Sequence, residues 1–330
     1  MPRRGRGAGS SSWSEQTVAI VGAGYMGSGI AQTLAAAGAT VTLTDTSAER
    51  AGRSLAAMLE QAGAYEARGF LPAGTADAVT ARSSAADSLA EAVAGADLVV
   101  EAVFEDVDLK REVLAAVEEF ADGEAVLATN TSSIGIGRIA TVLGKPSRFV
   151  GMHWFNPAQF VPGVEVIAAT NTGSDVVAWL VELLTKAGKW PVVVKDRPGF
   201  VCNRLQFALF REAAAMVEEG IATPEEIDAV VTGSFGYRLP FFGPFAVADM
   251  AGLDVYESAY RVLEEEYGDR FRAPARLAAL VADGQLGTKT GGGFRSIRAE
   301  EIPEIVSRRD RAYAELRPIV DRVRTDGGAH

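Results

Sequence analysis

The feature that most constrains the fold is a strand, a glycine-rich turn, a helix and a second strand in succession near the start of the chain. Thr17–Val21 is a β-branched, apolar run that ends at a glycine, which is typical of a buried strand. Residues 25–37 have helical spacing, with Ile30 and Leu34 on one face. A second strand is predicted at Thr40–Thr44. Because the connection is a crossover helix, the two strands must pair in parallel.

The turn between this strand and helix reads Gly22-Ala23-Gly24-Tyr25-Met26-Gly27, which is the spacing of a dinucleotide-binding turn. In such a turn Gly22 permits the tight bend, Gly24 lets the backbone approach the phosphates, and Gly27 lets the helix pack on the strand. Tyr25 and Met26 open the helix, where backbone N–H groups and the helix dipole favour a phosphate. The motif therefore predicts a bound dinucleotide at residues 22–27.

The acidic residue after the second strand narrows the choice of dinucleotide. Asp45 stands where a carboxylate can accept hydrogen bonds from a ribose diol. A negative charge at that position repels a 2′-phosphate, so it favours NAD over NADP. The alternative is a structural glycine turn followed by an exposed acid that contacts no ligand.

Strands and helices continue to alternate as far as Lys195. Further strands are predicted at 98–100, 125–128, 149–152, 164–167 and 190–194, and helices at 109–120 and 174–187. This alternation is typical of a Rossmann-type α/β domain with a doubly wound parallel sheet.

Helical periodicity replaces this alternation after Asp196. Helices are predicted at 203–219, 247–266, 273–283 and 302–323, and the capping box Thr223-Pro224-Glu225-Glu226 opens another. We therefore expect a disordered basic tail at 1–15, a dinucleotide-binding domain at 16–196 and a mostly α-helical C-terminal domain at 197–330.

Composition excludes several classes of protein. The net charge of −11 argues against nucleic-acid binding, because a polyanion requires a compensating basic surface. The single cysteine, Cys202, cannot form an internal disulfide, and it supports no cysteine-based metal site. The chain has neither the apolar core of a secretory signal nor about 18 consecutive apolar residues, so we expect a cytoplasmic protein without a membrane span.

One histidine is placed to act as a base. His153 comes just after the strand predicted at 149–152, and the ends of such strands are where open α/β sheets place ligands. The other histidine, His330, is the last residue. Oxidation of an alcohol requires loss of the hydroxyl proton, which suits a base with a pKa near neutrality. Glu165, in a nearby strand, could orient the imidazole; the alternative is a histidine that serves only the core.

The ordered motifs resemble those of the L-3-hydroxyacyl-CoA dehydrogenases, from about Thr17 to Phe294. Besides the glycine turn and Asp45, the segments that carry the resemblance are Val100–Glu105, Asn130–Ser133, His153–Pro157, Val164–Val166, Lys195–Arg204 and Gly287–Phe294.

The resemblance implies a role for each residue of the site. His153 would accept the proton of the C3 hydroxyl as hydride passes to NAD, and Glu165 would orient it. Ser132 and Asn203 would hydrogen-bond the oxygen atoms of the reacting acyl group. The remaining cofactor contacts expected from the resemblance are Glu105 and Asn130. The helical domain would bind substrate and form a homodimer.

Three departures from the family bear on the substrate. Arg68 and Phe70 stand where the family often carries lysines that reach the phosphates of coenzyme A. Pro162, after the base motif, is more like relatives that oxidise small free hydroxy acids, such as the gulonate and carnitine dehydrogenases and lambda-crystallin. Residues 236–245 form a segment about three residues longer than the family's, and its Arg238 could bind a carboxylate or simply lie at the surface.

Three functions therefore remain open. The first is oxidation of a short-chain 3-hydroxyacyl-CoA, such as 3-hydroxybutyryl-CoA, with NAD. The second keeps this chemistry but acts on a free 3-hydroxy acid or on an acyl group bound to a carrier protein. The third is a protein that binds NAD without catalysis, which gives no chemical reason for Ser132, His153, Glu165 and Asn203 to occur together.

Overall fold

The computed structural model describes residues 12–326, which form two compact units, one ending at Ala208 and the other beginning at Leu209. The strands all lie in the first unit: β1 Thr17–Val21, β2 Thr40–Thr44, β3 Ser83–Ala85, β4 Leu98–Glu101, β5 Val126–Thr129, β6 Phe149–Trp154, β7 Gly163–Ala168 and β8 Trp190–Lys195. Its helices are α1 Tyr25–Ala36, α2 Ala48–Ala67, α3 Thr75–Arg82, α4 Leu89–Val93, α5 Val107–Phe120, α6 Ile136–Ile139 and α7 Ser174–Lys186.

Helix α8, Cys202–Glu218, begins in the first unit and continues into the second. The second unit is otherwise built from α9 Pro224–Gly233, α10 Pro244–Ala251, α11 Leu253–Tyr267, α12 Ala275–Ala282 and α13 Ile302–Asp326. The expected combination of a Rossmann-type sheet domain with a mostly helical C-terminal region is thus confirmed. None of the helices within residues 12–326 combines the length and the apolar character that a membrane crossing requires.

The eight strands form one sheet in the order β3-β2-β1-β4-β5-β6-β7-β8. The predicted parallel pairing holds from β3 to β6, but it is wrong for β7, which runs antiparallel to β6. The physical reason is the connection at residues 155–162, which contains no helix and is too short for a parallel crossover. Strand β8 follows helix α7 and returns to parallel pairing with β7.

Both faces of the central strands are buried, whereas the edge strand β8 is largely exposed. Val18 and Ile20 of β1 pack into one core with Ile30 and Leu34 of α1, so the predicted apolar face of that helix is confirmed. Alternate residues of the same strands point into a second core, which includes Leu114 of α5. Burial of each such side chain contributes about 1.5–3 kcal/mol, which explains why the central strands are apolar on both faces.

Residues 13–15 fall within the predicted disordered tail but form a regular element in the structure. Residues 1–11, which include its arginines, lie outside the described part of the chain. Trp13–Glu15 form a turn of 3₁₀ helix, and the indole of Trp13 is 2% exposed. The Nε1–H group of Trp13 donates to the carbonyl oxygen of Leu183 at 2.6 Å. An indole that buries its ring and satisfies its N–H stabilises local order, so this part of the prediction is wrong.

The single helix predicted at 247–266 is in fact two helices, α10 and α11. Gly252 separates them with φ +103°, a conformation that an α-helix cannot contain. Leu253, at the start of α11, is fully buried in a small core with Leu277 and Leu280 of α12. The capping box at Thr223 is confirmed: its hydroxyl accepts from the backbone N–H of Glu226, whose carboxylate accepts from the backbone N–H of Thr223.

Candidate active site

The glycine turn has the close backbone approach that its sequence predicts. Gly22 adopts φ +97°, and a Cβ atom there would lie 2.7 Å from the carbonyl oxygen of Ala102. A Cβ on Gly27 would lie 1.9 Å from the carbonyl oxygen of Gly22, so the helix can pack this tightly only with a glycine. A Cβ on Gly24, in contrast, would have no atom within 4 Å apart from those of its own neighbours along the chain. Gly22 and Gly27 therefore pack against protein backbone, whereas Gly24 faces open space.

The open side of the turn coincides with the start of α1. Gly24 is the N-cap residue, no side chain caps the helix, and Tyr25 and Met26 form its first turn. Backbone N–H groups at an uncapped helix start can donate to an anion, and the helix dipole favours negative charge there. The residues present therefore suit the pyrophosphate of a dinucleotide.

Asp45 is tied directly to this turn. One oxygen, Oδ2, accepts from the backbone N–H of Ala23 at 2.9 Å, and Oδ1 accepts from the backbone N–H of Thr46 at 2.7 Å. The Nε atom of Arg50 lies 3.0 Å from Oδ1. The carboxylate thus stands at the end of β2 beside the glycine turn, with an arginine partner that the sequence alone does not identify.

His153 and Glu165 face each other across the antiparallel pair β6 and β7, in direct register. The distance from His153 Nδ1 to Glu165 Oε2 is 2.8 Å, and the two residues are 5% and 6% exposed. A carboxylate that accepts the Nδ1 proton leaves the Nε2 lone pair free to act as a base, and it stabilises the ring when that ring becomes charged. The alternative of a histidine that serves only the core does not explain this partner.

The second oxygen of Glu165 is also held. Glu165 Oε1 accepts from the backbone N–H groups of Val201 and Cys202 at 3.0 and 2.9 Å. Burial opposes the charge of this carboxylate, but the hydrogen bonds from His153 and from these two N–H groups outweigh it and lower the pKa of Glu165. Glu165 is therefore an ionised, immobile partner for the imidazole.

Two aromatic rings that are not predicted from the sequence enclose the imidazole. The ring centroids of Phe155 and Phe200 lie 4.7 and 5.8 Å from that of His153. Phe200 is 3% exposed and adopts φ +47°, which is rare for a residue with a side chain. This conformation lies directly before the two N–H groups that bind Glu165, so the bend at Phe200 helps to build the site.

The thiol of Cys202 has no place in this chemistry. Burial raises its pKa, and the negative charge of Glu165 raises it further. A thiol that resists ionisation is a poor nucleophile, which agrees with the structural role expected from its apolar surroundings.

The turn at Asn130–Ser133 joins the site through two side-chain amides. Asn130 Oδ1 accepts from the backbone N–H of Trp154 at 2.9 Å, which fixes the turn beside the residue after His153. Asn203 Nδ2 donates to the carbonyl oxygen of Ser132 at 2.7 Å. Four of the residues predicted from sequence, Asn130, Ser132, His153 and Asn203, therefore belong to one connected group within the first unit.

Glu105, expected to contact the cofactor, makes its own contacts to this turn. Its Oε1 atom accepts from the backbone N–H groups of Ser132 and Ser133, both at 2.9 Å, and from the hydroxyl of Thr131 at 2.6 Å. Burial opposes its charge, but the hydrogen bonds of the turn and the positive charge of Lys110 lower the pKa of Glu105 to about 2. The carboxylate therefore serves as an anchor for the turn.

A buried lysine beneath Glu105 was not predicted. Lys110 is 1% exposed, and its Nζ atom lies 2.9 Å from Glu101 Oε1 and 3.4 Å from Glu105 Oε2. The sequence carries a signal for it: Lys110 falls on the apolar stripe of α5 that includes Leu114 and Val117. A charged residue on a buried stripe needs a partner of opposite charge.

The loop between β6 and β7 is held by another buried lysine. Lys189 Nζ donates to the carbonyl oxygens of Ala158 and Val161 at 2.6 and 3.0 Å and lies 5.1 Å from the ring centroid of Trp154. Burial lowers the pKa of Lys189 to about 8. In the same loop, Gln159 Nε2 donates to Gln32 Oε1 at 2.7 Å. These contacts fix the loop that follows the base motif.

The two arginines proposed for substrate are both exposed. Arg68 directly follows α2 in the first unit and is close in sequence to Phe70, whose ring centroid is 6.4 Å from that of Phe160. Arg238 lies in a 3₁₀ turn of the second unit. Lys289 of the terminal family motif is bound to Asp254, with Nζ–oxygen distances of 2.7 and 2.8 Å.

Within residues 12–326 no group of histidine, cysteine and acidic residues is arranged to hold a metal ion.

Comparisons with known proteins agree with this geometry. The sequence model of the 3-hydroxyacyl-CoA dehydrogenase NAD binding domain matches residues 17–197, and that of the C-terminal domain matches residues 199–296. The chain is 38% identical to a probable 3-hydroxybutyryl-CoA dehydrogenase of Bacillus subtilis, over 84% of this chain and 96% of that protein. It is 34% identical to a 5-formyl-3-hydroxy-2-methylpyridine 4-carboxylate 5-dehydrogenase of Mesorhizobium japonicum, over 93% and 98%.

A solved structure supports the same family relationship. The crystal structure of a 3-hydroxyacyl-CoA dehydrogenase from Archaeoglobus fulgidus superposes with a TM-score of 0.76 and 34% identity, over 92% of this chain and 99% of that one. Both domains of the chain are thus matched, and the expectation of NAD as cofactor is confirmed. The chain belongs to the 3-hydroxyacyl-CoA dehydrogenase family, whose members are NAD-dependent oxidoreductases that act on CH–OH groups.

Proposed function

We propose that this protein oxidises the 3-hydroxyl of a short-chain L-3-hydroxyacyl-CoA, such as 3-hydroxybutyryl-CoA, to the 3-ketoacyl-CoA. The observation that carries the proposal is the His153–Glu165 pair, buried and joined at 2.8 Å. It supplies a base oriented by an acid at the end of β6, next to the turn that contains Ser132. This is what removal of a hydroxyl proton requires.

The chemistry balances with one base and one hydride acceptor. NAD supplies the acceptor for the hydride that leaves C3, which carries two electrons. As the C–H bond breaks, His153 Nε2 takes the proton of the hydroxyl and the C–O bond becomes a carbonyl. The imidazole becomes positively charged, and the ionised Glu165 stabilises that charge. The rings of Phe155 and Phe200 exclude water, which strengthens this electrostatic effect.

Ser132 and Asn203 are proposed to orient the acyl group. Asn203 uses one amide N–H for the carbonyl oxygen of Ser132, which leaves its other N–H for a substrate oxygen. Ser132 Oγ lies 3.3 Å from Glu105 Oε1, so the same carboxylate that anchors the turn orients this hydroxyl. For NAD we propose contacts with residues 22–27 and with Asp45, and for the phosphates of coenzyme A a contact with the exposed Arg68.

A second candidate is a dehydrogenase of a small free hydroxy acid or of a carrier-bound acyl group. One observation favours a free acid. The alignment with the Mesorhizobium japonicum relative, which is named for a pyridine carboxylate, covers 93% of this chain. It therefore extends beyond residue 296, where the family match ends, and into α13. Phe70 also favours a free acid, because the family often carries a lysine there that reaches the phosphates of coenzyme A.

The two candidates are separated by following NADH formation with 3-hydroxybutyryl-CoA and with free 3-hydroxybutyrate. We expect turnover of the CoA ester with NAD, and a much lower rate when NADP replaces it, because Asp45 repels the 2′-phosphate. Turnover of the free acid in the absence of turnover of any CoA ester would establish the second candidate instead.

A further inference from the structure

The ion pair between Asp45 and Arg50 lies beside the glycine turn and takes no part in the proposed hydride transfer. Arg50 belongs to the first turn of α2, and its backbone N–H donates to the hydroxyl of Ser47, the N-cap residue, at 3.2 Å. The Nε atom of Arg50 lies 3.0 Å from Asp45 Oδ1. The end of β2 and the start of α2 therefore bring a carboxylate and a guanidinium together.

Asp45 is held in place independently of Arg50. Its Oδ2 atom accepts from the backbone N–H of Ala23 at 2.9 Å, and its Oδ1 atom accepts from the backbone N–H of Thr46 at 2.7 Å. The side chain of Asp45 is 8% exposed. Because two backbone donors fix the carboxylate against the glycine turn, Asp45 determines where the guanidinium of Arg50 lies.

The guanidinium of Arg50 retains donors for a further partner. Its side chain is 50% exposed, and within residues 12–326 its one ion pair is that with Asp45, at Nε. Arg53, one turn further along α2, is paired instead with Glu49. A guanidinium carries five N–H donors, so those on the two Nη atoms of Arg50 remain for an acceptor that arrives from solvent.

This pair stands where the two nicotinamide cofactors differ. NADP carries a phosphate on the 2′-oxygen of the adenosine ribose, the ribose that Asp45 is proposed to bind. In domains of this kind an acid binds the free 2′-hydroxyl, whereas a nearby arginine accommodates the phosphate. This chain has both side chains, 3.0 Å apart. Since carboxylate and phosphate oxygens are equivalent acceptors for a guanidinium, Asp45 occupies the place beside Arg50 that a 2′-phosphate would require.

We propose that Arg50 is a cofactor-specificity residue, the arginine of a 2′-phosphate site that Asp45 fills and neutralises. With Asp45 present, the pair carries no net charge and the carboxylate repels a phosphate, so the protein selects NAD. Without this carboxylate, the uncompensated guanidinium would attract the phosphate. The inference rests on the proposed contact of NAD with residues 22–27 and Asp45, and it adds Arg50 as a second determinant of the choice between cofactors.

The test measures the Kd of NAD, of NADP and of the fragment 2′,5′-ADP by calorimetry, which does not depend on catalysis. Asp45→Ser removes the carboxylate and keeps a small polar side chain. We expect it to lower the Kd of NADP and of 2′,5′-ADP about tenfold or more, the effect of gaining a charged hydrogen-bond pair, and to raise the Kd of NAD. Thermal unfolding checks the fold, and Asp45→Asn replaces Asp45→Ser if the serine variant does not fold.

The role of Arg50 is tested in the Asp45→Ser background. Adding Arg50→Gln should abolish the gain in affinity for NADP and 2′,5′-ADP, and it should affect both more than NAD, which has no phosphate at this position. Arg53→Gln is the matched control, because it removes the same charge from the same helix one turn further along. That variant should retain the gain.

The outcomes separate this inference from the proposals on which it rests. If Asp45→Ser weakens NAD without strengthening NADP, or if the gain survives Arg50→Gln, Asp45 acts alone and the inference is wrong. If Asp45→Ser changes none of the three Kd values, the proposed contact of Asp45 with NAD is wrong as well. If an Arg50-dependent gain occurs in a protein whose wild type oxidises no 3-hydroxyacyl substrate, the inference stands and the proposed function is wrong.

Discussion

At the scale of single residues, the glycine turn shows that identical residues can have different functions. The Cα atoms of Gly22 and Gly27 face backbone atoms at distances that leave no room for a side chain. Gly24 has open space around it and an ordinary φ of −69°. Gly22 and Gly27 are therefore required by the fold, whereas Gly24 is required by whatever approaches the turn.

Two alanine substitutions should separate these roles. Gly27→Ala places a methyl group against the carbonyl of Gly22, so it should destabilise the protein by about 1–3 kcal/mol and weaken NAD binding. Gly24→Ala should leave stability within about 0.5 kcal/mol and still weaken NAD binding, because its methyl group occupies the approach of the phosphates. Thermal unfolding without NAD and calorimetric titration with NAD measure the two effects. Equal losses of stability in both variants would contradict this assignment.

Some residues of the site could be predicted from sequence and others could not, for a physical reason. His153, Glu165 and Asn203 belong to short motifs whose chemistry is recognisable in the linear order. Phe200 and Lys189 contribute through a backbone bend and through contacts to carbonyl groups that are distant in sequence. No local pattern encodes those contacts, because they exist only once the sheet has formed.

At the scale of secondary-structure elements, the reversal of β7 is the most consequential feature. It places Glu165 opposite His153, whereas a parallel strand would have required a crossover helix between the two residues. The short loop at 155–162 is the feature of the sequence that bears on this strand direction, because a parallel crossover needs a longer connection. Helix α2 gives no clear apolar stripe in the sequence, because its buried side chains, Ala51, Met58 and Ala62, are mostly small.

The stability that Glu105 gives to the fold by anchoring the turn at Asn130–Ser133 should depend on pH. A carboxyl group whose folded-state pKa is lowered stabilises the fold above its unfolded pKa of about 4.5, and that contribution is lost as pH falls towards the folded value of about 2. Glu105→Gln should therefore lower the melting temperature at pH 7, and the difference from wild type should shrink steadily below about pH 4.5. The exposed Glu112 of α5, the helix that begins two residues after Glu105, provides the control, Glu112→Gln. A difference that stays constant down to about pH 2 would contradict the anchoring role.

At the scale of the whole molecule, the feature that bears on assembly is the exposed apolar surface of α8. None of its residues is buried, and Phe207 and Phe210 are 61% and 68% exposed. Monomeric soluble proteins rarely expose so many large apolar side chains along one helix. A second copy of the chain, as the family resemblance implies, would cover them.

We therefore expect a homodimer in solution that depends on α8. Phe210→Glu places a charge where apolar contact is expected, so it should shift the protein to monomer in sedimentation or light-scattering measurements. Val142→Glu, a change of an exposed apolar residue of the first unit, should leave the dimer intact. A monomeric wild type, or a Phe210→Glu variant that remains dimeric, would exclude this surface.

The measurement that most directly tests the account is the rate of NADH formation from 3-hydroxybutyryl-CoA by wild type and by His153→Ala, with NAD affinity measured on the same samples. Loss of the general base should lower the rate by at least about a hundredfold. NAD affinity should change by less than about twofold, because the glycine turn is unaffected. Wild-type turnover that survives the loss of His153 would contradict its role as the base.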